Sequence, residues 1–102
     1  MAVDAARPDG TTALMYAAGS GNPAAVDALL KAGADATRKT RSGESALINA
    51  AASGDRRSVS LLLKAGADPN LRDAERRTAH LMAVQGHYAD MAKVLEQAGA
   101  RK

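Results

Sequence analysis

The sequence predicts an all-α solenoid of stacked helix–turn–helix units joined by turn-containing loops. The run LLKAGAD stands at residues 29–35 and again at 62–68, and a frayed copy, VLEQAGA, follows at 94–100. Glycines recur 33 residues apart, as Gly33, Gly66 and Gly99, as Gly10 and Gly43, and as Gly21 and Gly54. Between these glycines each unit carries two short helical patterns. Helices of that length are marginal alone, since isolated ones need roughly 12–15 residues even in favourable sequences. Each pair can bury its apolar stripe only against a neighbouring pair, which is the logic of a repeat array.

In chain order, Arg7, Pro8, Asp9 and Gly10 form a turn with proline at its second position and glycine at its fourth. A small-residue helix is expected over 13–20. Asn22 then caps a second helix over 23–31, with Pro23 at the first helical position, where the missing N–H costs nothing. Val26, Leu29 and Leu30 stand at i, i+3 and i+4 as one apolar stripe. Gly33 ends that helix in the left-handed conformation glycine tolerates best. Thr40, Arg41, Ser42 and Gly43 reopen the pattern. Helices follow over 46–53 and 56–64, with Asp55 as the cap and Val59, Leu62 and Leu63 as the stripe. The third unit predicts helices over 79–85 and 88–97, the latter striped by Met91, Val94 and Leu95.

Composition narrows the chemistry. The 102 residues suit one domain, and with two Tyr, no Phe and no Trp the core must come from Ala, Leu, Val and Met. Cysteine is absent, which excludes disulfides, thiolate nucleophiles and Cys-based metal sites. The N-terminus lacks the basic and apolar regions of a signal peptide, and no run approaches the roughly 18 apolar residues of a membrane span. A soluble, cytoplasmic protein is expected. His80 and His87 lack the partners a zinc site needs. Ser20, Ser53 and Ser58 stand in no nucleophile elbow. The GSGN run at 19–22 lacks the lysine and the preceding strand of a phosphate loop. No catalytic residue, metal or cofactor is therefore expected.

The net charge of +3 is uneven: −2 over residues 1–36, +3 over 37–69 and +2 over 70–102. The basic stretch TRKTRSGE at 37–44 offers Arg38, Lys39 and Arg41 to an acidic partner surface. Nucleic acid is not expected, because two tyrosines cannot supply stacking platforms and +3 is modest for tracking phosphates. Tyr16 and Asn49 are equivalent residues of two first helices and are expected to pack between repeats, with the hydroxyl or amide reaching the surface.

The period of 33, the segments TALMYAA and SALINAA, the Gly-Asn or Gly-Asp step and LLKAGAD together resemble ankyrin repeats from about Arg7 to Ala100. The resemblance implies three repeats at about 7–39, 40–72 and 73–102, with β-hairpin-like finger loops and a concave groove that binds a partner protein. By that resemblance the contact residues are Lys39, Arg41, Ser42 and Glu44 on the second finger and Ala52 and Ser53 in the groove. Their third-repeat counterparts are Arg72, Ala74, Glu75, Arg77, Val84 and Gln85. The alternatives are a structural or engineered repeat scaffold with no specific partner, and an accessory inhibitor or stabiliser of a bacterial enzyme, since the alanine- and arginine-rich repeats look bacterial. The first repeat lacks a polar outer face, so the chain is expected to be a monomer or to self-associate weakly through its uncapped N-terminal face.

Two departures from the pattern carry expectations. Thr12-Ala13-Leu14-Met15 and Ser45-Ala46-Leu47-Ile48 replace the family's Thr-Pro-Leu-His, so its hydroxyl-to-imidazole hydrogen bond cannot form in the first two repeats. His80, with Thr78 as its partner, is expected to match the family's buried histidine, and His87 to pack between repeats. In the third repeat Gly86 follows Gly54 by 32 residues and Arg76 stands where Gly10 and Gly43 stood. Those differences predict a one-residue slip, a distorted turn near residues 73–77 and a lengthened last helix.

Overall fold

A computed structural model describes residues 3–100. Among these described residues there are six helices: α1 Ala13–Gly19, α2 Pro23–Lys31, α3 Ala46–Ser53, α4 Arg56–Lys64, α5 Ala79–Gln85 and α6 Ala89–Gln97. They form two layers. The first helices pack in the order α1, α3, α5 and the second in the order α2, α4, α6, and each pair also packs within itself. The stack measures 38 × 26 × 20 Å.

Local chemistry starts and stops these helices. Thr12, Ser45 and Thr78 cap the first helices, each hydroxyl accepting the N–H three residues on, at 3.3, 3.2 and 3.1 Å. Asn22 and Asp55 do the same for α2 and α4, at 3.1 and 3.3 Å. At the other end the N–H of Ala34 reaches the carbonyl of Leu29 and the N–H of Gly33 that of Leu30, both at 3.0 Å, a Schellman closure. Ala67 and Gly66 repeat it, as do Ala100 and Gly99. A Cβ placed on Gly33, Gly66 or Gly99 would meet nothing within 4 Å, so these glycines serve backbone conformation and not space.

The stripes supply the core. Val26, Val59, Leu62 and Leu95 are buried between the layers, with Leu14, Met15, Leu47 and Ile48 beneath them. Alanines fill the contacts between first helices: Ala17, Ala18, Ala50, Ala51 and Ala83 are all buried. Small side chains let short helices approach closely, which answers the shortage of aromatic volume.

The third repeat corrects three expectations. Gly21 and Gly54 adopt φ of 66° and 77°, and the residue that does so in the third repeat is His87, at 61°. The N–H of Gly21 bonds to Ala18, that of Gly54 to Ala51 and that of His87 to Val84. His87 thus occupies the glycine position, and the 33-residue register runs through without a slip; Gly86 is the equivalent of Ser20 and Ser53. Helix α6 is no longer than α2 or α4, each having 9 residues. The turn around Arg76 is not distorted. Arginine takes the left-handed conformation itself, at φ 62°, and its N–H bonds to Asp73 as Gly10 bonds to Arg7 and Gly43 to Thr40.

Candidate functional site

The fingers are short antiparallel turns ahead of each helix pair. Single bridges join Ala6 to Thr12 and Lys39 to Ser45. Each finger closes by one backbone bond of the same kind: Arg7 to Thr11, Thr40 to Glu44 and Asp73 to Arg77, at 3.0, 2.9 and 3.0 Å. Neighbouring fingers are then tied tip to tip. The N–H of Arg41 donates to Asp9 at 3.1 Å, and that of Ala74 to Ser42 at 2.7 Å.

Each finger is braced by a different side chain. In the first, the Asp9 carboxylate accepts the N–H of Thr11 at 2.9 Å. In the second, the hydroxyl of the buried Thr40 accepts the N–H of Glu44 at 3.1 Å and lies 3.0 Å from the Ser42 hydroxyl. In the third, Asp73 carries the turn. Its carboxylate accepts the N–H groups of Glu75 and Arg77, both at 2.9 Å, and the Arg77 Nε at 2.8 Å. The Asp73 side chain is only 2% exposed. Burial by itself pushes its carboxyl up, but the bonds from Arg77, backbone and guanidinium, and from the Glu75 N–H outweigh it and hold the group below the usual carboxylate range. The Arg77 guanidinium is raised in turn, first by its bond to Asp73, then by Asp73, Glu75 and Glu44 as neighbouring charges.

These placements divide the predicted contact residues. Lys39 and Arg41 are exposed, and among the described residues no ion pair engages them. Arg72 is exposed at the position equivalent to Lys39. Arg77 is half-buried and held by Asp73 and by Glu75 at 3.5 Å, so its charge is largely spent inside its own finger. Ser42 and Ala74 meet through the tip bond. Ala52 and Ser53 are exposed on the groove side, and the register makes Gln85 and Gly86 their counterparts. Val84 belongs elsewhere: it is equivalent to the buried Ala51 and lies toward the open end of the stack, beside Ala92 and Lys93.

Among the described residues the most exposed large apolar side chain is Tyr16, which borders the groove. Tyr16 is 66% exposed and does not pack away between repeats as expected, while Asn49 is half-buried. Tyr16, Gly19, Ser20, Glu44 and Asn49 border a shallow depression of about 290 Å³. Composition offered no signal that this tyrosine would stand in the open; only the smallness of its neighbours hinted at it.

Both histidine expectations change. His80 stands where Leu14 and Leu47 stand in the other repeats, and its Nε2 lies 2.8 Å from Glu96 Oε2, while the Thr78 hydroxyl serves the helix cap. It is Tyr88, not His87, that packs between repeats. A Cβ on Gly54 or Gly86 would come within 2.5 or 2.4 Å of the Tyr88 ring, so two glycines make its seat. Tyr88 holds the cap position of α6 but makes no side-chain cap bond. Tyr16 apart, the exposed large apolar side chains among the described residues, Leu81, Val84 and Tyr88, lie in the third repeat and not on the N-terminal face.

Among the described residues, no group of three or more His, Asp or Glu is placed to hold a metal ion, and no helix is long and apolar enough to cross a membrane. No curated protein matches the chain. A family model described as ankyrin repeats matches it in three copies over residues 14–102, in agreement with three helix pairs that stack at a constant 33-residue register, and the chain belongs to the ankyrin-repeat family.

Proposed function

We propose that this chain binds a partner protein with an acidic surface, through its row of fingers and the adjoining groove, with the second finger at the centre. Ankyrin repeats are in general non-catalytic protein–protein interaction modules. The observation that carries the finer reading is the state of the finger cations. Lys39 and Arg41 stand exposed with no ion pair among the described residues, one repeat away from an arginine engaged by two carboxylates. Unspent positive charge on a rigid turn speeds the approach of an acidic surface and sets its register. Ser42, Glu44, Arg72, Ala74 and Glu75 flank this centre along the fingers, and Ala52, Ser53 and Gln85 along the groove. Tyr16 is the aromatic anchor available to a partner that reaches across the first repeat.

The test is affinity capture followed by a binding measurement on the purified pair. Lys39→Glu with Arg41→Glu is the diagnostic variant, and binding should fall at least tenfold, with the parent complex weakening as salt rises. Arg77 is left unchanged, because reversing it would strip Asp73 of its partner and confuse loss of contact with loss of structure. Equal binding by variant and parent removes the second finger from the site, and an absence of any specific partner favours a scaffold role.

A further inference from the structure

Stacking in this array needs two things at every junction between fingers. The later finger must supply an N–H at its tip, as Arg41 and Ala74 do. The earlier finger must have no side chain at its turn. A Cβ on Gly10 would stand 3.0 Å from the Thr40 Cα, and one on Gly43 would stand 2.9 Å from the Asp73 Cα, both against backbone, which gives way at greater cost than the end of a flexible side chain. At the equivalent positions the third repeat carries Arg76 and the first carries Pro8, which has no N–H.

The face beyond the third repeat differs from its predecessors in the same sense. Ala18 and Ala51 are 0% exposed, whereas Val84 at the equivalent position is 52% exposed. The following repeat covers that position in the first two units and leaves room there for a methyl group. Leu14 and Leu47 are buried, but the third repeat has His80, and it has Glu96 where Leu30 and Leu63 stand. The His80 and Glu96 side chains meet at 2.8 Å. A fourth repeat would have to absorb the two extra carbons of valine and bury that polar pair.

We infer that the third repeat is closed to stacking: neither another ankyrin repeat nor the first repeat of a second copy can continue the array in its own register. For two copies the obstacles coincide, since Arg76 of one finger would meet Arg7 and Pro8 of the next, with a side chain where the backbones are close and no donor for the tip bond. The head-to-tail contact that would build an open fibre is thereby blocked from both sides of one junction.

The experiment replaces residues 100–102 by a second copy of residues 34–66, in frame with the 33-residue period. It is made in the parent and with Arg76→Gly, His80→Leu, Val84→Ala and Glu96→Leu. In the parent background the urea midpoint and the m-value should match those of the unextended chain, and trypsin should remove the added segment. In the reverted background the segment should resist trypsin, the midpoint should rise and the m-value should increase by roughly a third, as one more repeat buries its surface. A parent fusion that already gains midpoint, m-value and protection overturns the inference. So does a reverted fusion that gains nothing while circular dichroism shows its first three repeats folded. Arg76→Gly alone provides a milder background should the fourfold variant misfold, and partial protection of the added segment is expected there; none, with the first three repeats folded, would overturn the assignment of Arg76 as an obstacle.

Discussion

In the second finger the N–H of Thr40 donates to Glu44, and in the third the N–H of Asp73 donates to Arg77 at nearly the same length, so the two backbones are alike. Their side chains are used differently. Thr40 braces its turn with a neutral hydroxyl and leaves Lys39 and Arg41 facing solvent. Asp73 braces its turn with a buried carboxylate, which then requires a cation, and Arg77 is drawn in to supply it. A buried charge is tolerated only when paired and hydrogen-bonded. The third finger thus holds Arg77 for the fold, whereas the second has Glu44 at that position and leaves Lys39 and Arg41 to solvent.

Gly43 lies between the two fingers, and changing it should have the largest effect. Gly43→Ala adds a methyl group 2.9 Å from the Asp73 backbone at a residue with φ 78°, so we expect a loss of roughly 3 kcal/mol, combining overpacking with left-handed strain, measured by urea unfolding. Gly66→Ala separates the two causes, because that glycine has φ 97° but open space, and should cost only about 1 kcal/mol.

Removing the buried carboxylate tests the third finger directly. Asp73→Ala deletes three accepted hydrogen bonds, one from a charged donor, and should cost about 2 kcal/mol. Thr40→Ala in the second finger, with neutral bonds only, should cost about 1 kcal/mol. Equal losses would show that the charge on Asp73 does not matter.

Acid should act on the same carboxylate. The Asp73 value is lower in the folded chain than in the unfolded one, so between the two values the unfolded chain binds a proton that the folded chain refuses. The stability it contributes is present above the unfolded value, near pH 4, and is lost as pH falls through the folded value. Asp9 and Asp35 are also lowered, by hydrogen bonds from Thr11 and Thr37, and titrate in the same window. Asp73→Asn should therefore shallow the acid limb of the stability curve without erasing it.

The smallest effects concern residues the fold does not require. His87→Gly and Arg76→Gly each place glycine at a left-handed position and should stabilise by roughly 0.5–1 kcal/mol in chemical denaturation. Lys39→Glu with Arg41→Glu should change stability by no more than about 0.5 kcal/mol, as expected for exposed positions, although it removes the binding proposed for that finger.

The period, the helix pairs and the caps were legible in the amino-acid sequence because each follows from short-range chemistry. Asn22, Asp55 and the Ser or Thr before each first helix cap the N–H groups three residues on, whatever lies farther away. Gly33, Gly66 and Gly99 stop helices through their own backbone freedom. The third repeat departs from its expected register for a related reason. Glycine is the residue that marks such turns in a sequence, while the physical requirement is a positive φ, which His87 and Arg76 also meet at some cost. The cost is local, but whether it is tolerated depends on what stands opposite.

What stands opposite was left to the tertiary structure. The same register position is 0% exposed as Ala51 and 52% exposed as Val84, because one is covered by the next repeat and the other faces the end of the stack. Lys39, Arg41 and Arg77 read alike as basic finger residues, yet only Arg77 finds a buried carboxylate within reach. Local sequence settles conformations that cost a few hydrogen bonds over a few residues. Exposure and charge pairing depend on which repeat comes to lie alongside, and that arises only once the helices stack.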